Sequence, residues 1–143
     1  MSSDIAKFRD QLDKFFRLLE PDCAKDLELQ TCKEAFLLGM KINPRDSVNL
    51  FISNIGLHAD KILLGDETFF LQADETELGI DPLYLNLAKR IKILWVTKDA
   101  ASKNTIKNFF KILLILGVIV VRDEKLRLII NKYRDPANPL VFK

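Results

Sequence analysis

The 143-residue sequence is 48% apolar and 29% charged, which supplies a core for one folded domain and excludes a wholly disordered chain. Its formal net charge of +2 conceals a division: residues 1–80 hold 9 Lys or Arg and 15 Asp or Glu, a net of −6, while residues 81–143 hold 13 and 5, a net of +8. The second half is therefore expected to face something anionic.

The stretch MSSDIAKFRDQLDKFF carries charges where a signal peptide needs its apolar run, so no secretory leader is expected there. Phe109 to Val121 is apolar apart from Lys111 and Gly117 and falls short of the roughly 20 residues that span a bilayer; it reads as buried core. Cys23 and Cys32 are spaced for neither a metal knuckle nor a redox Cys-x-x-Cys, and read as two buried thiols.

Ile5, Phe8, Leu12, Phe15 and Leu19 recur at spacings of three and four and predict a first helix, with Ser3 as N-cap and Pro21 as its stop. A second helix is expected from about Asp22 to Met40, burying Leu29, Cys32, Phe36 and Met40. Asn43-Pro44 then ends it and starts a third, since proline suits the first helical position. Val48, Phe51, Ile52, Ile55, Ala59 and Ile62 continue that helix to Gly65, and Gly56 inside it marks a bend or a close helix contact.

The next stretch, GDETFFLQADETELGID, is the least periodic: Phe69, Phe70 and Leu71 are apolar enough to plug the core, and Asp74, Glu75 and Glu77 make an acidic loop. Asp81-Pro82 starts a helix burying Leu83, Leu87, Ile91 and Leu94, with Trp95 near its end. Another begins near Asp99 or Ser102 and buries Ile106, Phe109, Phe110, Leu113 and Leu116 before Gly117. Beyond it, the β-branched runs Val118 to Val121 and Leu126 to Ile130 flank the polar Arg122-Asp123-Glu124-Lys125 and read as a β-hairpin, with continuation as helix the alternative. Pro136 and Pro139 make the final residues an extended arm. The expectation is a mainly α chain: a compact bundle of five to six helices with a C-terminal β-hairpin over residues 1–134, then an arm at 135–143.

No residue pattern activates a nucleophile. The single histidine, His58, is two positions from Asp60, a separation that points the two side chains to different faces of a helix. The carboxylates of Asp66, Glu67, Asp74 and Glu77 lack calcium-loop spacing, and five dispersed glycines form no phosphate-cradling loop. No enzyme activity, cofactor or metal is therefore assigned.

The sharpest surface feature is Lys103, Lys107 and Lys111, spaced four apart opposite the buried phenylalanines, with Lys89, Arg90 and Lys92 in the preceding helix and Arg122, Lys125 and Arg127 beyond. It reads either as a solvated face or as a site for an anionic partner: an acidic protein surface, a lipid-headgroup surface or nucleic acid. For nucleic acid, SKNTIKNFFKILLILGVIVVRDEKLRLII has the outline of a winged helix, with Lys103, Asn104, Lys107 and Asn108 facing a duplex and Arg122 and Lys125 on phosphates.

Several features in order, over roughly residues 5–117, carry a resemblance. They are the first amphipathic helix (Phe8, Leu12, Phe15, Leu19), Asn43-Pro44, and an Asp-Glu-x-Phe-Phe-Leu element (Asp66, Glu67, Phe69, Phe70, Leu71). Leu94-Trp95 follows, and then a helix with Asn104, Lys107, Phe110, Leu113 and Leu114. In these the chain resembles a loose group of small helical proteins encoded by nucleocytoplasmic large double-stranded DNA viruses. The resemblance carries no catalytic residues. It implies a virus-encoded intracellular protein, and together with the missing chemistry and the −6/+8 charge division it leads to the expectation of a minor capsid or virion-associated adaptor, located in the virion and the infected host cytoplasm, whose partners are other viral structural proteins. The apolar arm residues Leu140, Val141 and Phe142 suit docking on a neighbour, and a winged-helix DNA-binding protein is the alternative.

Overall fold

The computed structural model describes residues 3–71 and 82–133, and every regular element among them is a helix. In chain order these are α1 (Asp4–Leu18), α2 (Glu20–Cys23), α3 (Leu27–Ile42), α4 (Pro44–Ile55), a 3-10 turn (Gly56–His58), α5 (Ala59–Leu64), α6 (Thr68–Leu71), α7 (Pro82–Trp95), α8 (Ala100–Val121) and α9 (Glu124–Tyr133). The expected acidic loop at 74–77 and the arm with Leu140, Val141 and Phe142 lie outside the described residues.

Local chemistry sets most of these boundaries. Ser3 Oγ accepts the Ala6 N–H and starts α1. The expected second helix is interrupted because the Asp26 carboxylate accepts the N–H groups of Glu28 and Leu29, a cap that forces a fresh start. Its stripe survives the break, with Leu29, Cys32, Phe36 and Met40 all buried on α3. Pro44 opens α4 as expected, but the Asn43 side chain does not cap it and instead donates to Asp46 Oδ2 at 2.7 Å. The third helix breaks at Gly56 into the 3-10 turn, and Gly65, at φ 69°, ends α5 in the left-handed conformation that glycine adopts without steric cost.

The hairpin is the main correction. Val118 to Val121 complete α8, Arg122 turns the chain at φ 57°, and the Asp123 carboxylate accepts the Leu126 N–H at 3.0 Å to start α9. The polar stretch is thus a helix–helix turn. A strand would place residues 126, 128 and 130 on one face; the structure buries Leu126 and Ile130 and leaves Leu128 66% exposed, the helical arrangement. The β-preference of valine and isoleucine amounts to only about 1 kcal/mol across its scale, and core packing overrides it. The wing on which the duplex-binding outline rested is absent with the hairpin.

Helix α8 lies at the centre, packed against α1, α4, α5 and α9. Phe15 of α1 meets Phe110 of α8 edge-on at 5.5 Å, and Phe8 meets Phe51 of α4 edge-on at 5.5 Å. Each such pair contributes about 0.5–1.5 kcal/mol beyond area burial. Gly117 lets α8 approach α4 closely: a Cβ there would collide with the Ile52 side chain and lie 3.3 Å from Phe8. With 22 residues, α8 is long and apolar enough to cross a membrane by length and composition alone. Its Ile106, Phe110, Leu113, Leu114 and Val118 are buried in the bundle, where it serves as core.

Candidate functional site

The basic stripe lies on the first half of α8, beside the end of α7 and the connection from α5 to α6. Asp66 shapes that connection, because its Oδ1 accepts both the N–H (2.9 Å) and the hydroxyl (2.8 Å) of Thr68. These bonds hold the Asp66 carboxyl below the ordinary carboxylate range. The turn delivers Phe70 onto Trp95, ring on ring at 4.4 Å and 3° between planes, with Trp95 only 1% exposed.

Glu67 sits over the same spot. Its Oε1 accepts the Trp95 indole N–H and lies 3.3 Å from Lys103 Nζ. The indole hydrogen bond, and after it the one from Lys103, keeps the Glu67 carboxyl below its usual range. The ammonium groups of Lys103 and Lys107 lie 5.6 and 6.0 Å from the Trp95 ring centroid, within cation–π distance. Lys107 and Lys111 flank Gly65, where a Cβ would come within 3.9 and 3.8 Å of their side chains. All three stripe lysines are half-buried. The structure therefore brings the stripe together with Trp95, Glu67 and Gly65, and much of its charge is turned toward the fold's own α5–α6 connection.

The other predicted cations divide. Arg90 NH1 and Nε reach Asp26 and Glu28 at 3.4 Å each, without hydrogen-bond alignment at Nε. Lys89 is half-buried and engaged, whereas Lys92 is exposed. Arg122 and Lys125 are exposed, and Arg127, also exposed, pairs with Glu124 at 3.3 Å. Lys98, which the sequence did not single out, pairs with Asp22 at 2.7 Å.

These pairs give the charge division a structural meaning. Lys98–Asp22, Arg90–Asp26, Arg90–Glu28 and Lys103–Glu67 each join the basic second half to the acidic first half. Part of the charge expected to face an external anion is met inside the fold. No local pattern announces such pairs, because their partners are far apart in sequence; only the opposed net charges of the halves hint at them.

His58 lies in the 3-10 turn with its ring 5.5 Å from that of Phe69, while Asp60 accepts the Tyr133 hydroxyl at 2.7 Å. Cys23 and Cys32 are buried free thiols, and burial above all pushes both above the ordinary thiol range, away from the reactive thiolate. Among the described residues no group of three or more His, Cys, Asp or Glu could hold a metal ion.

Sequence reading also passed over exposed apolar side chains close in sequence to two ion pairs, Arg90 of α7 with Asp26, the cap of α3, and Lys98, just past α7, with Asp22 of α2. Leu27, next to the Asp26 cap, is 80% exposed, and on α7 and just beyond it Ile93 and Val96 are 53% and 74% exposed. The helical period does not flag Leu27, since one exposed leucine at a first turn breaks no pattern. Comparison with protein-family models, curated proteins and solved structures finds no match for the chain.

Proposed function

We propose that this protein is a non-enzymatic interaction protein, a virion-associated adaptor of a large icosahedral DNA virus that docks on other viral structural proteins. The virus assignment comes from the resemblance carried by Asn43-Pro44, the Asp66 to Leu71 element, Leu94-Trp95 and the α8 helix. The observation that carries the interaction role is the exposure of Leu27, Ile93 and Val96 on a folded bundle, close in sequence to the ion pairs Arg90–Asp26 and Lys98–Asp22. Large apolar side chains left exposed on a folded bundle are candidates for cover by a protein partner. The half-buried stripe of Lys103, Lys107 and Lys111 takes a supporting part, with exposed Lys92 next to Ile93 in sequence.

The test is mass spectrometry of purified particles of the virus whose genome encodes the chain. The wild-type protein is expected in the particles, and Leu27→Asp with Val96→Asp is expected to deplete it there while its level in infected-cell lysate is kept. A protein abundant in lysate and missing from particles would end the adaptor reading.

A further inference from the structure

Helix α9 lies on α5 and α8 and is held to them by few side chains. Of its ten residues, Leu126 and Ile130 are buried, Ile129 and Tyr133 are partly buried, and the others are exposed. Grooves border it on opposite flanks. One, of about 590 Å³, is lined by Lys125 and Ile129 of α9 together with Ser53 and Leu57. The other, of about 510 Å³, is lined by Arg127 and Asn131 of α9 together with Ile115 and Ile119 of α8. Two residues along a helix is about half a turn, which sets these two pairs of α9 residues on opposite sides of the buried Leu126 and Ile130.

The two ends of α9 differ. The chain enters it through Arg122, which at φ 57° is the one non-glycine residue with a positive φ among the described residues. A Cβ in that conformation crowds the following carbonyl, so the turn is strained. At the far end the Tyr133 hydroxyl donates to Asp60 Oδ1 at 2.7 Å, fastening α9 to α5.

We propose that α9 is a releasable strap, which leaves the bundle as one unit about Arg122 when the Tyr133–Asp60 hydrogen bond breaks, while α1 to α8 stay folded. Release frees Arg122 from the left-handed conformation, so strain at the hinge opposes the clasp. A helix of ten residues does not persist alone in water. The strap therefore unwinds as it leaves, and opening is a single cooperative event. It bares Gly56, against which Leu126 packs so closely that a Cβ there would meet Leu126 Cδ1 at 2.8 Å, and with it the neighbouring Ile52 and Val121. The inference does not depend on a virion role.

The test is native-state hydrogen exchange of the full chain, followed amide by amide by NMR at several urea concentrations below the unfolding transition. The amides from Arg127 to Tyr133 are expected to share one opening reaction, with a weaker urea dependence than the α8 amides from Phe110 to Val118. Tyr133→Phe is expected to speed exchange in α9 about three- to tenfold. Arg122→Gly, which removes the strain, is expected to slow it about threefold. Leu29→Ala, in the core of α3, is expected to speed exchange in α8 and leave the α9 rates as they are. Amides of α9 that share the urea dependence of α8 in the wild-type chain would overturn the proposal, because strap and core would then open only together. So would rates that climb residue by residue toward Tyr133, which is fraying from the end. Exchange in α9 that neither Tyr133→Phe nor Arg122→Gly alters would also overturn it, by removing both clasp and hinge.

Discussion

The Glu67 carboxylate accepts the Trp95 indole N–H and pairs with Lys103, so one side chain from the turn before α6 ties together the end of α7 and the start of α8. Phe70 follows it onto the same indole. This junction explains why the basic stripe is half-buried, and it titrates.

Because the Glu67 carboxyl is held below its usual range, its contribution to stability is fully present above the unfolded value of about 4.3 and is lost as pH falls through the lower folded value. Asp66 and Asp99, also lowered, act in the same direction. The melting temperature of Glu67→Gln is expected to lie below wild type at pH 7, and the gap should narrow as the pH drops below about 4. A gap independent of pH would mean that the charge on Glu67 contributes nothing.

Leu126 and Leu128 distinguish helix from hairpin. Leu126→Ala removes a buried side chain and should cost about 2–5 kcal/mol. Leu128→Ala trims an exposed one and should stay within about 0.5 kcal/mol. Urea unfolding of the two variants checks this, and similar losses for both would favour the strand arrangement.

Gly117 is where α8 and α4 come closest, so Gly117→Ala forces Ile52 to move and should destabilise by about 1–3 kcal/mol. Adding Ile52→Val frees space there and is expected to recover part of the loss, again read by urea unfolding.

Burial and raised thiol pKa together predict slow alkylation of Cys23 and Cys32. Iodoacetamide at neutral pH should leave both unmodified in the native protein and label both in denaturant, as followed by intact mass. Rapid native labelling would require α2 or α3 to open readily.

Where one residue type settles the backbone, the sequence is informative: Ser3 caps α1, Pro44 opens α4, and Gly65 closes α5 in the conformation that needs a glycine. The stripe at Leu29, Cys32, Phe36 and Met40 is legible even though Asp26 interrupts the helix expected to carry it. The 118–130 segment misleads because its valines and isoleucines fit either a strand or a buried helix. The decision falls to Gly117 and Val118 packing into the core, which no local pattern contains. The same holds at the candidate site. Lys103, Lys107 and Lys111 are visible as a stripe, but their neighbours Glu67, Trp95 and Gly65 arrive through tertiary folding.

The most direct test of the adaptor reading is cross-linking mass spectrometry with an amine-reactive reagent on intact particles of the virus that this reading requires. Exposed Lys25 and Lys92, which flank Leu27 and Ile93 in sequence, are predicted to form cross-links to another structural protein. Particles that contain the protein but link it to its partners only through Lys103, Lys107 and Lys111 would contradict the account, by placing the docking surface on the stripe.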